Sequence, residues 1–574
     1  MLKFCYGEVL SYERYFLRFY VKKMLFSSLL MIIAFSLSST ADFILAARLF
    51  GDNAMAAVNL VTPIFFVIGF LSSMIGTGTA YLYSFEIGAF RQENANKLVG
   101  QGAILAVTLS ILLVLILFFS RELFFSFFNV TGEIKTFAHE YYSLFFLSAA
   151  INPIYFIMYV VVYADGGGKN GVIANFLNLF VHIVASIVLG MKFGIAGIAF
   201  GTFLGYFTSI IIFAKWIFFD SQTLKPILHF SPSKILKVFK LSYVHASYFI
   251  YVGFGNMILN SFFLKTFGEQ NFPVLSVVMS LLQFSRFLLG LAQAAGSLVN
   301  IYLGEKNFDG IKKVMKISIK VVLSFGAVLI PIILFFSANI AELFSINDEI
   351  LGKTVFAIHA IAFSMPFIAM LYLFTTYYQI SWHMKTAISL SFCKDFGFYV
   401  ALPMIFGLFF SLDGFFIGMM SDSMASCLIF AIILRVRHGK SFPLLLPEAD
   451  IVSRDAKLNL ERVLELRNWS ESEFKKRGFD SKFAMRISLI IEEVFMSIVE
   501  NNPNNEPLAE LTLIFGEKMQ IIIRDNGKRF DLTDEKVNSF RSFFLYSFLE
   551  GSSTDRSYLT TQNYNRHIFT MINE

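Results

Sequence analysis

Apolar residues run along this chain in long stretches separated by brief polar connections, and the pattern changes only after Pro447. The stretches fall near 24–50, 55–88, 98–120, 140–164, 170–192 and 195–219, then near 241–265, 272–303, 318–338, 354–380, 386–411 and 414–436. A helix rises about 1.5 Å per residue, so some twenty apolar residues cross a hydrocarbon layer roughly 30 Å thick. The pattern therefore predicts about twelve membrane-spanning helices. The first two form a helical hairpin around the tight turn Gly51-Asp52-Asn53, with the second helix broken at Pro63. Inside the first span Asp42 stands with no basic residue within a turn on either side. A carboxylate at membrane depth is costly and faces a watery cavity or a partner, so Asp42 marks a pathway.

Composition agrees with the pattern. The 574 residues are 56% hydrophobic and 17% aromatic but only 15% charged, against about a quarter charged in soluble proteins. Cys5, Cys393 and Cys427 have neither metal nor redox spacing and read as buried thiols. Residues 1–23, with Phe16, Phe19 and Tyr20 among basic residues, lack a small-residue cleavage pattern and read as an interfacial leader before an uncleaved helix. Lysine and arginine gather in alternate connections, from Arg91 and Lys97 through Lys234, Lys237 and Lys240 to Arg435 and Arg437. That excess belongs on the cytoplasmic side, which places both termini there. It also accounts for the net charge of +6 without a nucleic-acid partner.

The longest basic connection, 220–240, divides the spans into two sets of six: an N-terminal lobe over 24–219 and a C-terminal lobe over 241–440. Phe193-Gly194-Ile195-Ala196-Gly197 is echoed by Leu412-Asp413-Gly414-Phe415, and Gly88-Ala89-Phe90 by Leu303 to Phe308. Two repeated bundles facing each other across a cavity is a transporter plan, with substrate near the middle. The stretches ADFILAARLFGDNAMAAVNLVTPI, IGTGTAYLYSFEIGAFRQENANKLVGQG, NFLNLFVHIVASIVLGMKFGIAGIAFGT and LGLAQAAGSLVNIYLGEKNF, in this order, resemble the multidrug and toxic compound extrusion (MATE) transporters. The resemblance covers roughly residues 24–440. It implies a secondary antiporter that exports organic, often cationic, compounds against sodium or proton flow.

In branches of that family that use the N-terminal lobe, an aspartate of helix 1 works with asparagine and aspartate on helix 5 and threonine on helix 6. Asp42 matches the first, Asn178 the second and Thr202 the last, while His182 replaces the helix-5 aspartate. Asn178 and His182 are four apart and share a helix face. Losing a carboxylate weakens a site for sodium, which prefers oxygen ligands, and an imidazole suits proton exchange better. A packing role for His182 weighs about equally. The acids other members carry in helices 7 and 10 are not visible; Gly253 and Phe367 stand near those positions. Arg286 and Asp395 either line the cavity or snorkel to an interface.

Residues 448–574 carry ordinary charge and no span, and they read as a cytoplasmic domain. Helical periodicity covers 482–501, LTLIF and MQIIIR read as neighbouring strands, and HIFTMI is a further strand, giving an α+β sandwich with helices on one face of a sheet. IIEEVFMSIVENN with IIIRDNGKRFDLTD resembles the GHKL ATPase superfamily, in its anti-sigma-factor serine kinase branch. The resemblance assigns Glu493 to activation of water or a hydroxyl, and Asp525 and Gly527 to the adenine pocket. Ser497 stands where a magnesium-holding asparagine is expected, and Leu559 to Asn565 replace the glycine-rich lid. A phosphate cradle needs glycines for close backbone approach, so these departures speak against ATP and magnesium binding.

The expected protein is thus an all-α polytopic membrane protein with a small α+β tail. It moves a small molecule in exchange for H+ or Na+, has no catalytic residue or fixed cofactor, and its degenerate tail leaves room for a regulatory protein partner. Two other classes stay open: a flippase for lipid-linked precursors, which would need a strongly cationic cavity, and a receptor that signals through the tail.

Overall fold

The computed structural model describes residues 15–122, 132–343, 348–439, 443–447, 450–516, 518–528, 554–561 and 564–572. Two compact units emerge. One comprises Met24–Gly304 and Val314–Leu445. The other takes in the start of the first helix, Glu305–Lys313 and the tail from Leu446.

The larger unit is helical throughout. Its first half contains α1 (Tyr15–Phe50), α2 (Asp52–Gly88), α3 (Gln92–Phe119), α4 (Gly132–Ala164), α5 (Gly168–Phe193) and α6 (Ile195–Lys215). Its second half contains α7 (Pro232–Phe267), α8 (Phe272–Phe284), α9 (Leu289–Gly304), α10 (Phe308–Phe335), α11 (Ser337–Leu343), α12 (Asp348–Ile380), α13 (Met384–Phe392) and α14 (Phe398–His438). With no water in a hydrocarbon layer, backbone groups must be satisfied within each segment, and the apolar stretches do this as helices. Their outer faces stay apolar, as at Ile111, Phe119, Phe180 and Phe409, all exposed.

Ten helical stretches among the described residues are long and apolar enough to cross a membrane, where the sequence pattern predicts about twelve. Two local breaks explain the difference. The stretch 272–304 is interrupted by a 3-10 turn at Ser285–Leu288, which leaves two pieces of 13 and 16 residues. Conversely, Met384–His438 runs as one stretch of 55 residues, about twice a bilayer's need. It turns on Phe410 and Ser411, whose φ angles are −128° and 57°, so the hydropathic gap at Asp413 corresponds to a sharp corner two residues earlier. The expected break at Pro63 is absent: α2 runs through that position without interruption. Neighbouring helices in a membrane bundle can re-satisfy the groups a proline frees, so it need not end a helix there.

Glycines set how closely these helices approach. Gly197, Gly201 and Gly205 recur every four residues along α6 and line the crossing with α5. A methyl group on Gly201 would lie 2.6 Å from the Ser186 backbone nitrogen, and one on Gly205 would lie 2.7 Å from Asn178 Oδ1 and 3.0 Å from His182 Cβ. Small residues let two backbones nearly touch, which is how helices associate without a hydrophobic driving force between them.

The tail is a five-stranded antiparallel sheet in the order β1-β2-β3-β5-β4, where the sequence revealed three strands. The strands are β1 (Asp450–Lys457), β2 (Leu508–Phe515), β3 (Lys518–Asp525), β4 (Thr554–Thr561) and β5 (Tyr564–Ile572). Two helices, α15 (Leu460–Lys476) and α16 (Ser481–Glu500), bury Leu466, Phe474, Ile491 and Phe495 against Leu511, Leu513, Ile521 and Ile523. Asn459 and Asp480 cap these helices by accepting from backbone amides two or three residues on.

The other face of the sheet carries charge. Arg524 and Arg566 are directly opposed across β3 and β5, and both are fully buried. Like charges opposed on a sheet repel. Here they are compensated within the unit: Arg524 donates to Glu510 Oε2 at 2.7 Å, and both guanidiniums donate to the buried Glu305 carboxylate, Arg566 at 2.5 Å. A buried pair of this kind does little for net stability but makes each partner expensive to remove, about 3–5 kcal/mol by analogy with other buried pairs.

Candidate functional site

Four helices of the first half converge on Asp42. Asp42 is 6% exposed. His182 Nε2 of α5 lies 2.7 Å from Oδ1, and the Thr202 hydroxyl of α6 lies 3.1 Å from Oδ1 and 3.0 Å from Oδ2. The Tyr141 hydroxyl of α4 donates to Oδ2 at 2.8 Å. On its far side, the His182 ring meets Ser38 through Nδ1 at 2.9 Å from the hydroxyl oxygen. A chain Ser38–His182–Asp42–Tyr141 results, with Thr202 also 3.1 Å from His182 Nε2.

The structure thus brings three of the sequence-predicted residues, Asp42, His182 and Thr202, into mutual contact. Asn178 stands one step away, reached by the Ser38 hydroxyl at 3.5 Å. Two participants were missed. Ser38 lies one turn before Asp42 on the same face of α1, so its spacing could have revealed it. Tyr141 gave only the weaker signal of a phenol in an apolar helix, since a buried tyrosine hydroxyl needs a partner. The arrangement can hold one proton shared between a carboxylate and an imidazole and relay it to hydroxyls on either side. Of its donor atoms facing Asp42, one is nitrogen, which a hard alkali cation disfavours.

In the second half, Asp395 turns inward and pairs with Lys394. The side chain of Arg286, within the 3-10 turn, lies outside the described residues. Gly253 leaves space filled by Phe66, whose nearest ring atom would be 3.7 Å from a methyl group there.

In the tail, Glu493 and Ser497 share α16, but the Ser497 hydroxyl donates to the Glu493 carbonyl at 2.8 Å and is spent on its own helix. Asp525 ends β3, and its Oδ1 accepts from the Gly527 amide and from Asn565 Nδ2, each at 2.9 Å. The segment that stands in place of the glycine-rich lid is a β-hairpin: Leu559–Thr561 pair with Tyr564–Arg566 across Gln562 and Asn563, which lie outside the described residues. Strand pairing commits the backbone amides of β5 and alternate ones of the edge strand β4 to the sheet, whatever the glycine content, and Asn565 occupies the side of Asp525.

Burial raises the Asp525 carboxyl to about 6, offset in part by the bonds from Asn565 and Gly527. An acid whose folded-state value lies above its unfolded one binds a proton more tightly when folded. Ionised Asp525 therefore costs stability above pH 6, and the cost fades as pH falls toward 4, over a range of about 3 kcal/mol. Asp525→Asn should stabilise the tail at pH 7.5 and flatten its stability between pH 4 and 6, read by hydrogen exchange of β3 amides in the full chain. A variant as pH-sensitive as the parent would exclude this assignment.

The MatE family profile matches residues 27–188 and 245–419. The chain is 24% identical over 336 residues to the multidrug export protein MepA of Staphylococcus saprophyticus, covering 57% of this chain and 73% of that protein. It is 23% identical over 336 residues to the probable multidrug resistance protein YoeA of Bacillus subtilis, covering 55% and 71%. Among solved structures, an outward-facing multidrug resistance MATE transporter of the MOP superfamily superposes with a TM-score of 0.69 at 21% identity, over 73% of this chain and 96% of that one. A MATE structure in complex with MaL6 gives a TM-score of 0.68 at 22% identity, with the same coverage. Asp42, Tyr141 and His182 lie within the residues the profile matches, whereas Thr202 on α6 and the tail lie outside them. The chain belongs to the MatE family of membrane transporters.

Proposed function

We propose that the protein exports organic, drug-like or cationic compounds across the cell membrane in exchange for protons, and that Asp42 and His182 carry the exchanged proton. The family and its multidrug-exporting relatives support export as such. The observation behind the coupling ion is the 2.7 Å contact between His182 Nε2 and Asp42 Oδ1, buried and flanked by the hydroxyls of Thr202, Tyr141 and Ser38. Protonating this network neutralises the carboxylate or charges the imidazole, and either change alters what holds α1, α4, α5 and α6 together. A bundle that must rearrange between two faces of the membrane has in this network an electrostatic reason to do so.

Replacing the carboxylate removes the exchangeable charge but keeps the shape. In proteoliposomes, Asp42→Asn should reduce export driven by an imposed pH gradient to background while inserting normally. Export that follows a sodium gradient at constant pH in the parent protein would overturn the proton assignment, and full activity of Asp42→Asn would remove the site.

The lysine-rich connections and the tail belong on the cytoplasmic side, because basic residues near membrane segments are retained there. A cysteine at Lys237 should escape an impermeant thiol reagent on intact cells; labelling there would invert the orientation.

The tail regulates export rather than powering it. Ser497 is committed to its own helix and the would-be lid is a hairpin, so neither magnesium nor phosphates find the contacts hydrolysis needs. Phosphate release by the full chain with ATP and magnesium should stay at background, and turnover that depends on Glu493 would refute this.

A further inference from the structure

The echo between Gly88-Ala89-Phe90 and Leu303 to Phe308 has a spatial counterpart: the two stretches end α2 and α9, and those ends meet. A methyl group on Gly88 would run into the Ile301 carbonyl, and one on Gly304 into the Phe85 carbonyl and, at 2.6 Å, the Ala89 amide nitrogen. Backbones approach this closely only where no β-carbon stands between them. The turns that follow match as well. Phe90 and Lys306, each two residues past its glycine, both hold the left-handed conformation, with φ of 57° and 59°. The echoed stretches thus interlock the two halves of the bundle at one crossing. A transporter built on two halves must part such a crossing to open on that side.

The two copies differ at the residue after the glycine: Ala89 in the first, Glu305 in the second. Glu305 is the residue that the tail holds. Its side chain is fully buried, and its oxygens accept from Arg524 of β3 and, at 2.5 Å, from Arg566 of β5. A few residues on, Asp309 of α10 accepts from the Ser453 hydroxyl of β1 at 3.0 Å and pairs with Lys313 at 2.6 Å, while Lys313 also donates to Ser453. Three strands of the sheet therefore grip one turn. Glu510 completes the group, so two carboxylates balance two guanidiniums. An interface of this kind is selective without being permanent. Water can take over both sets of charges when it opens, and buried ion pairs add little net stability over that alternative.

We propose that the tail is a brake on export: docked on the turn between α9 and α10, with Glu305 as its catch, it keeps the crossing of α2 and α9 closed. Gly304 and Glu305 are consecutive, so a carboxylate held by two arginines also restrains the glycine at the crossing. Release of Glu305 frees the turn to move with α9 and lets the halves part. The proposal rests on the export reading and deepens it by naming the surface through which the tail acts, although docking and opening are both measured without transport.

The test uses the purified full chain carrying Ile301→Cys. Ile301 is 1% exposed at the crossing, so N-ethylmaleimide reaches a thiol there only when α2 and α9 part. Mass spectrometry separates modification at this position from that at Cys5, Cys393 and Cys427. In this background Glu305→Gln should raise the labelling rate about fivefold and gradient-driven export in proteoliposomes about twofold, the low end of coupling between linked sites. Hydrogen exchange of the amides from Asp309 to Lys313 should quicken. Exchange at Ile491 and Val494, in the core of the tail, should match the parent, which marks the tail as folded but released. Ser453→Trp, a wedge that leaves the four buried charges in place, should act in the same direction, so the test does not depend on one buried substitution. Release by exchange with unchanged labelling would show a structural bracket and overturn the proposal, as would slower export on release or a Glu305→Gln protein whose turn stays protected. Faster labelling in a protein that exports nothing under any gradient would keep the latch and remove the export function, whereas faster labelling with export unchanged would keep export and remove the brake.

Discussion

A carboxylate at membrane depth must be supplied with donors, and this one obligation organises the first half of the bundle. Asp42 cannot be solvated by lipid, so α4, α5 and α6 each present it with a side chain: Tyr141, His182 and Thr202. Meeting that demand fixes the rotation of four helices about their axes, because each donor must face the same point. In the proton exchange proposed for this site, a proton arriving at the network would change the charge those donors satisfy, and a packing suited to the ionised form would no longer suit the neutral one.

Close approach makes the network geometrically attainable. Thr202 and His182 meet because Gly201 and Gly205 on α6 carry no β-carbon at the crossing with α5. A larger residue at Gly201 would press on the Ser186 backbone as well as on its hydroxyl, so moving the side chain alone would not relieve it and the helices themselves would have to part. Packing and chemistry are therefore coupled at this crossing: the small residues that draw the backbones together also hold the hydroxyl of Thr202 within reach of the imidazole and the carboxylate.

The second half meets the same obligation differently. Lys394 supplies Asp395 with a full positive charge from the adjacent residue, so the acid is satisfied by its own helix and leaves neighbouring helices free of that duty. The tail shows a third solution, in which Glu510 and Glu305 compensate two opposed, buried arginines. In each place a buried charge is held by partners within its own unit, and the kind of partner differs: polar side chains from several helices, a sequence neighbour, or a neighbouring strand together with the carboxylate of a helix connection.

Hydropathy alone determined that this chain forms apolar helices long enough for a membrane, and residue spacing placed Asp42, His182 and Thr202 as candidates for one site. Those properties are local: a run of apolar residues has no alternative to a helix in lipid, and a buried acid is conspicuous against it. The alternation in LTLIF and MQIIIR likewise disclosed paired strands in the tail. What the sequence left undecided is what depends on distant partners. Nothing near Tyr141 indicates that its hydroxyl serves Asp42, 99 residues away. Helix continuity at Pro63, the 3-10 interruption at Ser285–Leu288 and the corner at Ser411 follow from how neighbouring helices accommodate the backbone, which local propensity does not encode. The inward turn of both Lys394 and Asp395 requires one widened helical turn that no spacing rule anticipates, and Leu559–Asn565 became a hairpin because β3 offered β5 an edge to pair with. Tertiary structure decided these features because each satisfies a polar group or a backbone edge that belongs to another part of the chain.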